Sequence, residues 1–91
     1  MVSDKEKNSI KDFLDYLSRS LVKHPDEVEI KEKTLEDGTC EYTLCVNPED
    51  MGRVIGRNGK TARALRLLIS ARGFQENIKT SVEIAEEPDQ A

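Results

Sequence analysis

The sequence predicts an α+β two-layer sandwich in which a three-stranded mixed sheet is covered on one face by three helices. Three observations predict it. Ile10, Phe13, Leu14, Leu17 and Leu21 recur at helical spacing. Two runs of period-two alternation follow, one on each side of Glu36-Asp37-Gly38, and a second helical stripe then precedes a last alternating run. Three strands expose an apolar face that must be covered, and amphipathic helices on one side supply the cover.

Ser3 followed by Glu6 has the form of a capping box, and the first helix runs from there to about Lys23. Pro25 disfavours helical geometry in the residue before it, so His24-Pro25-Asp26 is read as a surface turn. Val28 and Ile30 alternate with Glu29 and Lys31, and Cys40, Tyr42, Leu44 and Val46 alternate with Glu41, Thr43 and Cys45. Together they make a hairpin, with Asp37-Gly38 suited to a tight turn that needs positive φ. Asn47-Pro48-Glu49-Asp50 is a helix start: a capping side chain, proline at the first helical position, and acids at the positive end of the dipole. Gly56 limits this helix to about two turns. A longer helix spans about Lys60 to Arg72, turns Ala62, Leu65, Leu68 and Ile69 toward the core, and is stopped by Gly73. Ile78, Val82 and Ile84 form the last strand. Residues 1–85 are expected to form one domain, and 86–91 a disordered acidic tail.

A chain of 91 residues with 36% apolar content and four aromatics builds a small core of Leu, Ile and Val, with no deep substrate cavity. No apolar run is long enough to cross a membrane, and Met1-Val2-Ser3-Asp4-Lys5-Glu6 lacks an export signature, so the expectation is a cytoplasmic protein without a membrane partner. Cys40 and Cys45 stand an odd number of residues apart on one strand, hence on opposite faces, and read as reduced structural thiols. With one histidine and no Cys-x-x-Cys pair, neither a metal nor any other cofactor is expected.

The net charge of −4 averages over two unlike regions. From Met51 to Gln75 there are six basic residues (Arg53, Arg57, Lys60, Arg63, Arg66, Arg72) and no acid, a local +6, whereas the remaining eight basic and eighteen acidic residues leave −10. A binding surface answers to its local field, so this one window is able to receive phosphate.

Within it lies Gly56-Arg57-Asn58-Gly59-Lys60-Thr61. Two glycines three apart between helices permit a tight turn with no side chain over its outer surface, so a phosphate can approach the backbone. The helix that starts at Lys60 aims its free N–H groups and positive dipole end at the same place. Arg57 and Lys60 add full charges there, and Arg53, Arg63 and Arg66 extend the strip. Val54, Ile55 and Ala62 are expected to floor an adjacent apolar groove suited to bases.

The stretch Asp50 to Arg66 resembles the Gly-x-x-Gly signature of KH domains, and the element order α-β-β-α-α-β is that of the type II arrangement. Together with Leu21, Val22, Pro25 and Asp26, it resembles the small stand-alone bacterial KH proteins of the KhpA family over nearly the whole chain. The resemblance implies binding of single-stranded RNA, the loop clamping the backbone of about four nucleotides. It also implies a homodimer, a heteromer with a KhpB (Jag or EloR) type KH protein, RNA chaperoning, and a part in cell-shape and cell-wall control. Many KH domains carry Ile three residues after the second glycine, where this chain has Ala62, a change that would widen or weaken the base groove.

Two other classes are open to the sequence. Gly59-Lys60-Thr61 mimics the end of a phosphate-binding P-loop, but that motif needs glycine where Val54 stands, and no nucleophile with an adjacent base is suggested, so no catalysis is expected. A protein-interaction module with residual nucleic-acid affinity is the alternative, since Ala64, Leu67 and Ala71 lie off the core stripe of the long helix as candidates for a partner surface. Single-stranded DNA is a further alternative ligand.

Overall fold

The computed structural model describes residues 4–86, with side chains from residue 9 to residue 85. Its elements are α1 (Asp4–Leu21), β1 (Glu29–Thr34), β2 (Cys40–Val46), α2 (Met51–Ile55), α3 (Lys60–Gln75) and β3 (Thr80–Glu86). Short 3-10 turns occupy Pro25–Glu27, Pro48–Asp50 and Arg57–Gly59. The sheet order is β1-β2-β3, with β1 antiparallel and β3 parallel to the central β2. This is the mixed three-stranded sheet expected, and with three helices it is the arrangement of a type II KH fold.

Strand alternation decides the layers. Ile30 of β1, Tyr42 and Leu44 of β2 and Val82 of β3 are buried with Ile10 and Leu14 of α1, Val54 of α2, and Leu65 and Ile69 of α3 in one core. The intervening residues Glu29, Lys31 and Glu83 are exposed on the other face. Tyr42 is the largest wholly buried side chain, and burial pushes its hydroxyl pKa upward. Cys40 and Cys45 are both buried and form no disulfide. The hairpin closes as Gly38 N–H donates to the Leu35 carbonyl (2.9 Å) with Gly38 at φ 93°, and Asp37 accepts from Thr39 N–H, which lowers the Asp37 pKa.

The structure corrects the sequence reading in several places. The first helix ends at Leu21, not near Lys23, because the backbone N–H groups of Lys23 and His24 turn to the Asp50 carboxylate (3.0 and 3.1 Å). Asp50, which the pattern assigns to the positive end of the α2 dipole, is completely buried. Asn47 does cap, its Oδ1 accepting from Glu49 N–H at 2.7 Å, but the turn it opens is 3-10 before it becomes α2.

Gly73 does not stop α3. The helix runs through it to Gln75, and the reversal falls at Asn77 (φ 62°), where Ile78 N–H returns to the Gly73 carbonyl at 2.8 Å. Glycine stands at 73 because a Cβ there would lie 2.6 Å from the Ile78 carbonyl and from Thr80 Cγ2, so α3 rests directly on the start of β3. Leu68, assigned to the core, is 45% exposed. The 3.6-residue repeat carries the core stripe through Ala62, Leu65 and Ile69 and leaves Leu68 at its margin. β3 includes Glu86, one residue into the segment read as a tail. The Ser3–Glu6 capping pair, at Ser3, and residues 87–91 lie outside the described residues.

Candidate nucleic-acid interface

α2 and α3 meet at Gly56-Arg57-Asn58-Gly59, and the turn is forced by backbone geometry. Gly56 has φ 79° and ψ 171°, a region closed to side chains, while Asn58 (φ 57°) and Gly59 (φ 75°) are left-handed. Asparagine is among the few non-glycine residues that tolerate this conformation. A Cβ on Gly56 would also collide with Thr61 Oγ1 and lie 2.7 Å from Thr61 N, so the loop is folded tightly over the first turn of α3. A Cβ on Gly59 would meet nothing within 4 Å. The two glycines thus serve different ends, close approach at 56 and handedness at 59.

No side chain caps the N-terminus of α3, and its first turn holds no acid. Arg57, Asn58 and Lys60 are exposed around it. The dipole end and two full charges therefore converge on open solvent, which is an anion-receiving arrangement, while the N–H groups of Gly59 and Lys60 are held inside the loop by the Gly56 and Arg57 carbonyls.

The six basic residues of the window divide by their partners. Arg72 Nη2 donates to Ser9 Oγ (2.6 Å) and lies 3.6 Å from Glu76, which takes it out of the strip. Arg53 Nε lies 3.8 Å from the buried Asp50, so its charge is partly matched. Arg57, Lys60, Arg63 and Arg66 form no ion pair among the described residues. Arg63 and Arg66 line a groove of about 490 Å³ between α3 and β3, and Arg66 Nε donates across it to the Val82 carbonyl at 3.2 Å.

The apolar floor differs from the one expected. Val54 is wholly buried in the core and Ala62 nearly so, leaving Ile55, 37% exposed, as the one member of that set open to a ligand. Leu67, 66% exposed, supplies apolar surface in the α3–β3 groove instead. The β3 wall, with Ser81, Val82 and Glu83, was absent from the sequence reading. Its signal was available in principle: a last strand paired with only one neighbour presents a free edge. Which helix would flank that edge is a tertiary fact.

Comparison with known proteins shows the family of the chain. The family model described as KhpA/KhpB, KH domain, matches residues 11–84. The chain is similar to the RNA-binding protein KhpA of Chlamydia caviae, 41% identical over 86% of this chain and 99% of the relative. It is likewise similar to the RNA-binding protein KhpA of Clostridium acetobutylicum, 44% identical over 82% of this chain and 99% of the relative. The same protein from Streptomyces coelicolor is 41% identical over 70% of this chain and 80% of the relative. No solved structure matches.

Proposed function

The chain belongs to the KhpA/KhpB family of KH domains, and from that membership and the loop geometry we propose that it binds single-stranded RNA without catalysing a reaction. The observation that carries the reading is the uncapped, acid-free start of α3 beneath a two-glycine loop whose side chains, Arg57 and Asn58, stand in solvent. The positive end of the α3 dipole and the Arg57 and Lys60 charges hold phosphates, and the curve of the loop selects a backbone that is free to bend. Arg63 and Arg66 continue the positive path, and the groove they line together with Leu67 receives the bases.

The test is fluorescence anisotropy with a short single-stranded RNA, its duplex form and the matching DNA strand. Single-stranded RNA binds more tightly than the duplex. Replacement of both Arg57 and Asn58 by Asp abolishes binding without unfolding the protein, since both sites are exposed and two anions at a helix N-terminus repel phosphate. Equal affinity for the DNA strand makes the ligand single-stranded nucleic acid in general. Undiminished RNA affinity in the folded double variant removes the clamp.

The protein-interaction reading has its own support in the apolar surface of α3 away from the RNA groove, where Leu68 is exposed beside Ala64 and Ala71, whereas Leu67 lines the groove. We assign this face to a symmetric homodimer, and to a heteromer with a KhpB-type KH partner of related surface. A paired clamp would raise avidity for longer RNA and suit RNA chaperoning in cell-shape and cell-wall control. Sedimentation equilibrium at micromolar concentration tests the homodimer, and a strictly monomeric protein excludes it. Among the described residues no helix is long and apolar enough to cross a membrane.

A further inference from the structure

The α3–β3 groove does not end at Arg66. A second cavity of about 290 Å³ adjoins it, lined by Ser70, Phe74, Asn77, Ile78, Lys79 and Thr80, and the two share Ser70 and Thr80. The path therefore runs from Lys60 to Phe74, fourteen helical residues or about 21 Å at 1.5 Å each. At its far end the Phe74 ring is 82% exposed, the most exposed large apolar side chain among the described residues.

The walls of this second cavity are fixed. Ile78 N–H is held by the Gly73 carbonyl and the Lys79 carbonyl by Cys40 N–H, both at 2.8 Å, so the connection from α3 to β3 is tied to the helix at one side and the sheet at the other. The missing side chain at Gly73 lets Thr80 close against the helix. A rigid concave site with one aromatic wall, three polar side chains (Ser70, Asn77, Thr80) and a lysine at the rim has the composition of a nucleobase subsite: a π-face for stacking, donors and acceptors for a base edge, and a cation for the flanking phosphate. Charge agrees with that ligand, since Arg63, Arg66 and Lys79 line the two cavities against a single acid, Glu83.

We propose that bound RNA continues along the α3–β3 groove beyond the loop clamp, and that one further base stacks on Phe74. The proposal rests on the RNA-binding reading and extends it, enlarging the footprint past the four or so nucleotides a loop clamp holds.

Phe74 is exposed, so it can be changed without cost to the core, and the chain contains no tryptophan, so Phe74→Trp installs a unique fluorophore on the stacking face. Wild type, Phe74→Ala and Phe74→Trp are titrated with a tetranucleotide and an octanucleotide of one single-stranded RNA. The octamer binds wild type more tightly than the tetramer, and Phe74→Ala removes about 5- to 150-fold of that gain while leaving tetramer affinity unchanged. In Phe74→Trp the octamer quenches the indole emission at saturation and the tetramer does not. A gain that survives Phe74→Ala, an unquenched indole under saturating octamer, or equal quenching by the tetramer overturns the subsite. A fall in sedimentation mass for Phe74→Ala overturns it too, by assigning the ring to a protein contact. If wild type binds neither RNA, the loop clamp fails and the subsite with it, whereas tetramer binding without a Phe74-dependent gain sinks the subsite alone.

Discussion

The carboxylate of Asp50 accepts the backbone N–H of Lys23 at 3.0 Å although 27 residues separate them, and no part of Asp50 touches solvent. Its second oxygen accepts His24 N–H at 3.1 Å. One buried side chain thus ends α1 and fixes the start of α2, the element that leads into the loop.

Removing that acceptor leaves two part-buried amides without their partner and a void where the buried carboxylate stood. Asp50→Ala is expected to cost about 2–4 kcal/mol, a fall in Tm of roughly 10–25 °C for a domain this size. Asp50→Asn keeps one acceptor oxygen and loses less. Thermal unfolding by circular dichroism reads both, and an unchanged Tm for Asp50→Ala would show that the tether carries no stability.

Gly73 separates two explanations of one residue. A glycine idle inside a helix, with room for a methyl group, becomes more stable by about 1 kcal/mol when replaced by Ala. The Cβ overlap with the Ile78 carbonyl and Thr80 outweighs that gain, so Gly73→Ala is expected to destabilise the protein by about 1–3 kcal/mol in urea unfolding.

The loop glycines differ in tolerance. Gly56→Ala meets both a forbidden backbone region and the Thr61 backbone nitrogen, and about 3 kcal/mol or more of stability is lost. Thr61→Ala does not rescue it, because that nitrogen remains. Gly59→Ala faces only the left-handed penalty of about 1–2 kcal/mol. Equal costs at the two positions in urea titrations would contradict the assigned roles.

Arg66 and Arg72 sit on one helix with opposite employment. Two to four phosphate contacts give a log–log salt slope on the order of −1.5 to −3 for RNA affinity, and Arg66→Ala is expected to make it shallower by about 0.7. Arg72→Ala, which loses the Ser9 and Glu76 partners, lowers stability by about 1 kcal/mol and leaves the slope as in wild type. Anisotropy titrations from low to moderate salt distinguish them, and a slope change confined to Arg72→Ala would reverse the assignment.

Local patterns in the sequence were enough for the element order, the strand faces, the Gly38 turn and the glycine loop, because each depends on residues close together in the chain: period two, period 3.6, or a φ that few residues adopt. The +6 window was legible for the same reason, but its working part was not. Ion pairing decides which cations remain free, and the partners of Arg72 and Arg53 are Ser9 and Glu76 in one case and Asp50 in the other. Asp50 as a buried tether, Gly73 as a contact, Val54 as core and β3 as a groove wall all belong to the tertiary structure. Each is set by what packs against the residue from a distant part of the chain, and a short-range pattern holds no record of that neighbour.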